Sequence, residues 1–579
     1  MYKAGAASSI ITADYKGVGM LGYGLTHQNI EGKATELYAR AYVLHHPSTG
    51  RKIAFVNAEL CFITISVKQG VVKTLKRQHP ELGFDFDNVM ITAQHTHSGP
   101  GGFDHFGLYN LPVTGFVKQV YKDILDGIIQ AIVQADQQKT EAQLYWDRGF
   151  IKPNRQVAFN RSMKAYNRNS EVEKLPSDKS HLAVDRTMSL LRIDGQNGDK
   201  IGSINWFGVH TTSISNDNTL VCSDNKGYAS QYLEEEIRQD EQGQGKGHLA
   251  AFAQESAGDV TPNWIWDENK KWTRGKYHDD FESAKYNGRI QFEKALELYQ
   301  KAAQQEPLQG EIDYAMTYVD FSEVWPDGEF TNDDMDASTT PSCIGLSFFK
   351  GTSEGPGVPI IPTKFVAVAI DLVKGFEYLK SLVVSRRERE RIYRKYRMQY
   401  PKKITVETGG RRVMGTSRAR YLKAPDFIDD SLKAFKDLDA KDKLGTKPWQ
   451  PQILPLQIII IGKVAIAGFP SEITTVAGKR LRQTIYNVLK QRGIEQVVIS
   501  SCANAYSGYA TTYEEYHQQA YEGGHTVFGK WTLAAYRTKF KELAEELMKN
   551  PQERNTEIST QPTEFSEDEL NVRSFVYTE

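Results

Sequence analysis

Short apolar runs alternate with longer amphipathic stretches through most of this chain, and that alternation limits the fold more than any other feature. Runs at 39–44, 53–57, 89–93, 189–193, 201–207, 249–253, 456–467 and 496–500 have strand length and strand composition. Apolar residues at helical spacing recur over 116–134, 228–240, 281–303, 363–380, 474–492 and 530–549. The pattern predicts an α/β protein with mixed sheets and flanking helices, whose ligands gather at the carboxyl ends of strands. No internal repeat of solenoid or propeller period is present. A length of 579 residues suits several average domains or one large α/β unit with insertions. The expected division is one large catalytic domain over 1–549 and a polar, acid-rich tail over 550–579, either a packed arm or mobile. The mixed-sign segment 386–397, RRERERIYRKYR, reads as a solvated helix face.

Charge and composition narrow the partners. Lys and Arg number 71 and Asp and Glu 72, a formal net charge of −1, so bulk charge supports no nucleic-acid partner. The best apolar run, 454–469, is interrupted by Lys463 and falls short of a membrane span, so any membrane contact would be transient and at the surface. The opening residues MYKAGAASSIITAD show no signal peptide. The compartment is then secreted or periplasmic if a signal was removed, and cytoplasmic otherwise. Four cysteines lie far apart without a C-x-x-C pair, which argues against a disulfide scaffold and a cysteine-built zinc site. Oligomeric state stays open.

Candidate chemistry collects just after the predicted strands. His95-Thr96-His97-Ser98-Gly99-Pro100-Gly101-Gly102 follows VMITA, and in an extended segment both imidazoles face one side. The glycines and proline allow a sharp turn and close approach of backbone to ligand. Imidazole serves as metal ligand or proton shuttle, although an isolated H-x-H also reads as a hydrogen-bonded structural pair. His210 closes IGSINWFGV, and Thr261 lies in GDVTPN soon after LAAFA. Glu472 follows VAIAGFP at a helix start, and Tyr509 follows VVISSCAN. Taken singly, Glu472 is a helix-start residue and Tyr509 a packing residue. Taken together they describe one convergent site. Two His, one Glu and a further oxygen donor suit catalytic zinc with an open water position, and the spacing is not H-E-x-x-H.

Beyond this point the motifs resemble those of the neutral (non-lysosomal) ceramidase family, zinc amidases that split ceramide into sphingosine and fatty acid. The matching words are MLGYG (20–24), HTHSGPGG (95–102), NRS (160–162), SDNKGYAS (223–230), GDVTPN (258–263), GFPSEITT (468–475) and NAYSGYATTYEEYHQQAYEGG (504–524), in family order. The resemblance implies zinc held by His95, His210, Glu472 and Tyr509. It implies His97 as proton-transfer residue or oxyanion donor, Arg161 near the substrate, and Tyr521 on the oxyanion side. Thr261 stands where the family carries a serine assigned as nucleophile. Threonine keeps the hydroxyl but adds a methyl, so either Thr261 or a zinc-bound water attacks, with water preferred. A turn residue without chemistry is the remaining reading. Family members usually continue into an immunoglobulin-like C-terminal domain. About seventy residues follow Tyr509, and a sandwich of that kind takes about 100, so that domain is expected to be absent or much reduced. The expected activity is hydrolysis of an N-acyl amide, most naturally of a ceramide-like lipid. Alternatives are another N-acyl amide or an ester on the same site, or a non-catalytic binding protein on this fold.

Overall fold

The computed structural model describes residues 1–113, 115–240, 242–355, 357, 360–416, 430–556 and 560–574. Eight strands make the larger sheet: β1 (Tyr2–Ile10), β2 (Tyr38–His46), β3 (Arg51–Ala58), β4 (Val89–Ala93), β5 (Thr140–Phe150), β6 (Thr187–Gly195), β7 (Lys200–Phe207) and β8 (Leu249–Gln254). Their spatial order is β8-β7-β6-β5-β1-β2-β3-β4. The centre is antiparallel, while the outer pairs β7–β8 and β3–β4 are parallel. A second sheet consists of β9 (Ile312–Asp320), β10 (Ile453–Ile461), β11 (Val464–Gly468) and β12 (Gln496–Ser500) in that order. Only β11–β12 is parallel there.

A parallel pair needs a crossover, and each of the three has a helix. Ile65–Gln78 joins β3 to β4, Asp224–Arg238 lies between β7 and β8, and Thr475–Leu489 joins β11 to β12. The two sheets stack through their inner faces. Alternation on each strand decides which residues go there: Ile53 and Phe55 of β3 meet Ile459 and Ile461 of β10, with Trp206 and Val498 beside them. The intervening Ala54, Val56, Ile458 and Ile460 face the helices on the outside, among them Val72, Ile128, Leu481 and Ile485. Layers therefore run helix, sheet, sheet, helix, the α/β architecture with mixed sheets that the patterning predicts.

All the predicted strands form, with one change of shape. The run at 456–467 is not one strand but the hairpin β10–β11, turned at Gly462 (φ 56°), beside which Lys463 is exposed. The predicted helices form with shifted ends, for example Lys118–Gln137, Ile360–Ser381 and Thr532–Glu546. Strands β1, β5 and β9 have no counterpart among the predicted runs. Strand β1 is YKAGAASSI, too poor in large apolar residues to stand out, and β5 buries chiefly Ala142 and Leu144 while exposing polar neighbours. In the tail, Glu567–Arg573 is a helix capped by Ser566 and Glu569. Its buried Arg573 donates to the carbonyls of His105 and Lys443; 557–559 and 575–579 lie outside the described residues.

Candidate metal and catalytic centre

His95, His210, Glu472 and Tyr509 each follow a long strand of one of the three parallel pairs in the two main sheets, whereas Arg161 follows a short strand, Phe159–Asn160, paired antiparallel with Val260–Thr261. His95 comes two residues after β4, and its backbone is left-handed (φ 81°), a costly conformation for a residue with a Cβ. Extended alternation is therefore not what brings His95 and His97 together. The chain kinks at His95, whose N–H is held by the Leu60 carbonyl at 2.9 Å, and the Nε2 atoms of the two rings still lie 3.2 Å apart. His97 packs edge-on against Tyr23 and directly over Gly22 (φ 135°), where an added Cβ would stand 2.4 Å from the His97 Cγ. Glycine is required there on both counts.

His210 lies three residues beyond β7, with its backbone N–H on the Val260 carbonyl. Its Nδ1 lies 2.8 Å from the Ala257 carbonyl, and Nδ1 of His95 lies 2.6 Å from the Cys61 carbonyl. Carbonyl oxygens only accept, so Nδ1 carries the proton in both rings and each Nε2 turns a lone pair inward. Glu472 sits in a two-residue strand paired in parallel with Tyr509–Ala510. Its Oε1 accepts from the Tyr506 hydroxyl at 2.6 Å. Its Oε2 lies 2.9 Å from His210 Nε2 and 3.3 Å from His95 Nε2, yet receives no hydrogen bond although buried.

Three electron-pair donors thus converge, all within 4.8 Å of one another. Tetrahedral donors about 2.0–2.2 Å from a zinc ion stand about 3.3 Å apart, and the observed separations match that scale. Burial alone would raise the Glu472 pKa; positive charge beside it, carried by His95 and His210 when they are protonated, outweighs burial and holds the carboxyl well below its usual range. Burial, with the neighbouring His95 and His210, keeps His97 neutral by lowering its pKa well below the ordinary histidine value. The Tyr509 hydroxyl lies 3.5 Å from His210 Nε2, at the rim of the same cluster. The donor set fits a divalent cation.

A second polar cluster lies beside the first. Arg161 donates through Nη1 to Glu354 at 2.7 Å, through Nε to Glu522 at 2.9 Å, and through Nη2 to the Gly258 carbonyl at 3.0 Å and Tyr509 Oη at 3.2 Å. Glu354 Oε1 also accepts from Thr261 at 2.6 Å, Thr212 at 2.7 Å and Asn263 at 3.2 Å. Burial pushes the Glu354 pKa up, but Arg161, His210 and these hydroxyls bring it below normal. Thr261 is thus committed to a carboxylate, and its Oγ1 also accepts from the Asn263 N–H at 2.9 Å.

Above the first cluster opens a chamber of about 340 Å³. His95, His97, Glu472, Tyr509, Tyr521 and His525 line its polar end; Leu21, Leu25, Phe62, Leu108, Phe348, Phe349 and Phe435 are among its apolar walls. Tyr521 stacks on Phe348 and meets Tyr509 edge-on. Both ring nitrogens of His525 are buried without a hydrogen-bond partner. Of the residues singled out in the sequence, His95, His97, Glu472, Tyr509 and Tyr521 line this chamber; His210, Arg161 and Thr261 stand behind its wall. Glu354, Glu522 and Tyr506 were not singled out. Tyr506 and Glu522 lie within the NAYSGY and AYEGG words and could have been found there, whereas Glu354 sits in the loop GTSEGPG with no local signal.

Comparison with known proteins gives the family. The profile of the neutral/alkaline non-lysosomal ceramidase N-terminal domain matches residues 2–420 and 437–538. Neutral ceramidase of Pseudomonas aeruginosa is 33% identical over 548 residues, covering 94% of this chain and 72% of that protein. Neutral ceramidase A of Dictyostelium discoideum is 31% identical, covering 95% and 73%. The neutral ceramidase of Mycobacterium tuberculosis is 30% identical, covering 94% and 77%. The crystal structure of the Pseudomonas aeruginosa enzyme superposes with a TM-score of 0.75 at 30% identity, over 97% of this chain and 76% of that one. With the family profile matching most of the chain, and relatives of 30–33% identity and a solved structure covering nearly all of it, the chain belongs to the neutral/alkaline non-lysosomal ceramidase family of hydrolases.

Proposed function

We propose that this chain is a zinc-dependent amidohydrolase that cleaves the N-acyl bond of ceramide or a ceramide-like lipid, releasing fatty acid and amine. The observation that carries the metal is Glu472 Oε2, buried without a hydrogen bond between two imidazole nitrogens that each present a lone pair. His95, His210 and Glu472 would hold the ion, with Tyr509 at its side. Bound there, zinc supplies Lewis-acid polarisation of a carbonyl and acidifies a water. The apolar walls of the chamber support an acyl chain, and the relatives named as ceramidases support the amide.

The chain's own groups then carry the proton and the charge. Water adds to the amide carbonyl carbon, its proton passes to the neutral His97, and His97 delivers that proton to the amine nitrogen as the C–N bond breaks. Tyr521 donates to the developing oxyanion from the chamber wall. Arg161, fully engaged with two carboxylates and a carbonyl, acts by donating to Tyr509 Oη rather than by meeting substrate. Thr261 is a positioning residue, because its hydroxyl donates to Glu354 and it is not among the residues that line the chamber. Release of fatty acid from ceramide, compared with matched esters and non-lipid N-acyl amides, tests the substrate. Faster ester cleavage, or none of the lipid amide, would overturn it.

A further inference from the structure

The helix Ile360–Ser381 rests on the body along one line and turns a second line of large apolar residues to solvent. Thr363, Ile370 and Ser381 are buried. Phe365, Val368, Leu372, Phe376 and Leu379, with Val383 just past the helix end, are each 60–85% exposed. At 3.6 residues per turn the exposed helical positions fall within about 80° of arc, opposite the buried line. Apart from Leu382, which adjoins Val383, the other exposed large apolar residues among the described residues are scattered and need no explanation, but a continuous stripe of this length does.

Two further observations say what covers it. Lys364 and Lys380 flank the stripe, one on each side, and neither has an ion-pair partner among the described residues. From Lys364 to Arg397, ten lysines and arginines stand against four carboxylates. Arg394, Lys395 and Arg397 also pair with carboxylates outside that segment, Glu323, Glu407, and Asp334 with Asp336, so the cations at the stripe without a carboxylate partner among the described residues are Lys364 and Lys380. An apolar stripe edged by basic residues is the pattern of a helix lying in a lipid–water interface. No described helix is long and apolar enough to cross a membrane, so this one lies on the surface instead. The helix also starts just after the loop that supplies Phe348, Phe349, Gly351 and Gly357 to the chamber wall.

The geometry points to an anionic phospholipid surface as the partner of this helix, seating the protein with the wall of its chamber next to the lipid. The link to catalysis rests on the proposed lipid substrate; the docking itself does not. Flotation of the full chain with vesicles of phosphatidylcholine, with and without phosphatidylglycerol, tests it. Binding should need the anionic lipid and weaken as salt rises. Leu372→Ser/Phe376→Ser should weaken it ~30-fold and Lys364→Glu/Lys380→Glu ~10-fold, while thermal melting stays unchanged. Hydrolysis of a short-chain, water-dispersed N-acyl substrate should stay within about twofold of the parent in both variants, while turnover of substrate presented in anionic vesicles falls about tenfold. Undiminished vesicle binding by the Leu372→Ser/Phe376→Ser variant overturns the proposal. So does a solution dimer that this variant converts to monomer, since the stripe would then cover a second copy. Docking without any lipid hydrolysis would leave this inference standing and remove the substrate assignment; the reverse pattern would do the opposite.

Discussion

Two buried polar clusters lie side by side under the chamber, and they are built in opposite ways. Around Arg161 a cation is already present, and its guanidinium is shared among Glu354, Glu522, the Gly258 carbonyl and Tyr509. Around Glu472 there are carboxylate and imidazole donors, with Oε2 left without a hydrogen bond. Charge buried without compensation costs several kcal/mol, so a fold keeps such a cluster only if something supplies the missing positive charge. The first cluster is complete as folded. The second is shaped for an ion, and Tyr509, touching both, joins them.

That contrast can be broken or sharpened by substitution. The largest effect is expected from His95→Ala or His210→Ala, which should cut turnover about 10³-fold, the scale of losing a main electrostatic stabiliser, and lower bound metal in parallel. Circular dichroism should show the fold retained. Arg161→Met should do the converse: it strands two buried carboxylates and should lower unfolding free energy by about 3 kcal/mol, read from the denaturant midpoint, with metal content changed much less. Equal destabilisation by both substitutions would erase the distinction. Tyr506→Phe removes the hydrogen bond that orients Glu472, and metal affinity should fall about 10–100-fold by competition with a chelator. Thr261→Val should be mildest, about 1–2 kcal/mol of stability and less than a tenfold loss of turnover, with Thr261→Ser close to the parent. Abolished turnover in Val with recovery in Ser would instead make Thr261 the nucleophile.

Much of the centre was legible because strand ends are legible. His95, His210, Glu472 and Tyr509 each follow an apolar run, and those runs are members of parallel pairs whose carboxyl ends the fold brings together. What was not legible depends on contacts made far along the chain. Glu354 meets Thr261 across 93 residues from a loop of Gly, Ser and Pro, with nothing nearby to mark it. The left-handed backbone of His95 contradicts the extended geometry first drawn for the H-x-H word, because tertiary contacts from Leu60 and Cys61 override the local preference. Strand β1 stayed hidden since its Ala, Gly and Ser residues gain their place from pairing with β2 on one side and β5 on the other.

Metal stoichiometry measured on the purified full chain, before and after chelation, bears most directly on the His95–His210–Glu472 cluster. About one zinc ion per chain, loss of turnover on its removal and recovery when zinc is restored are the predicted results. Full turnover from protein stripped of metal, with zinc unable to rebind, would contradict the account.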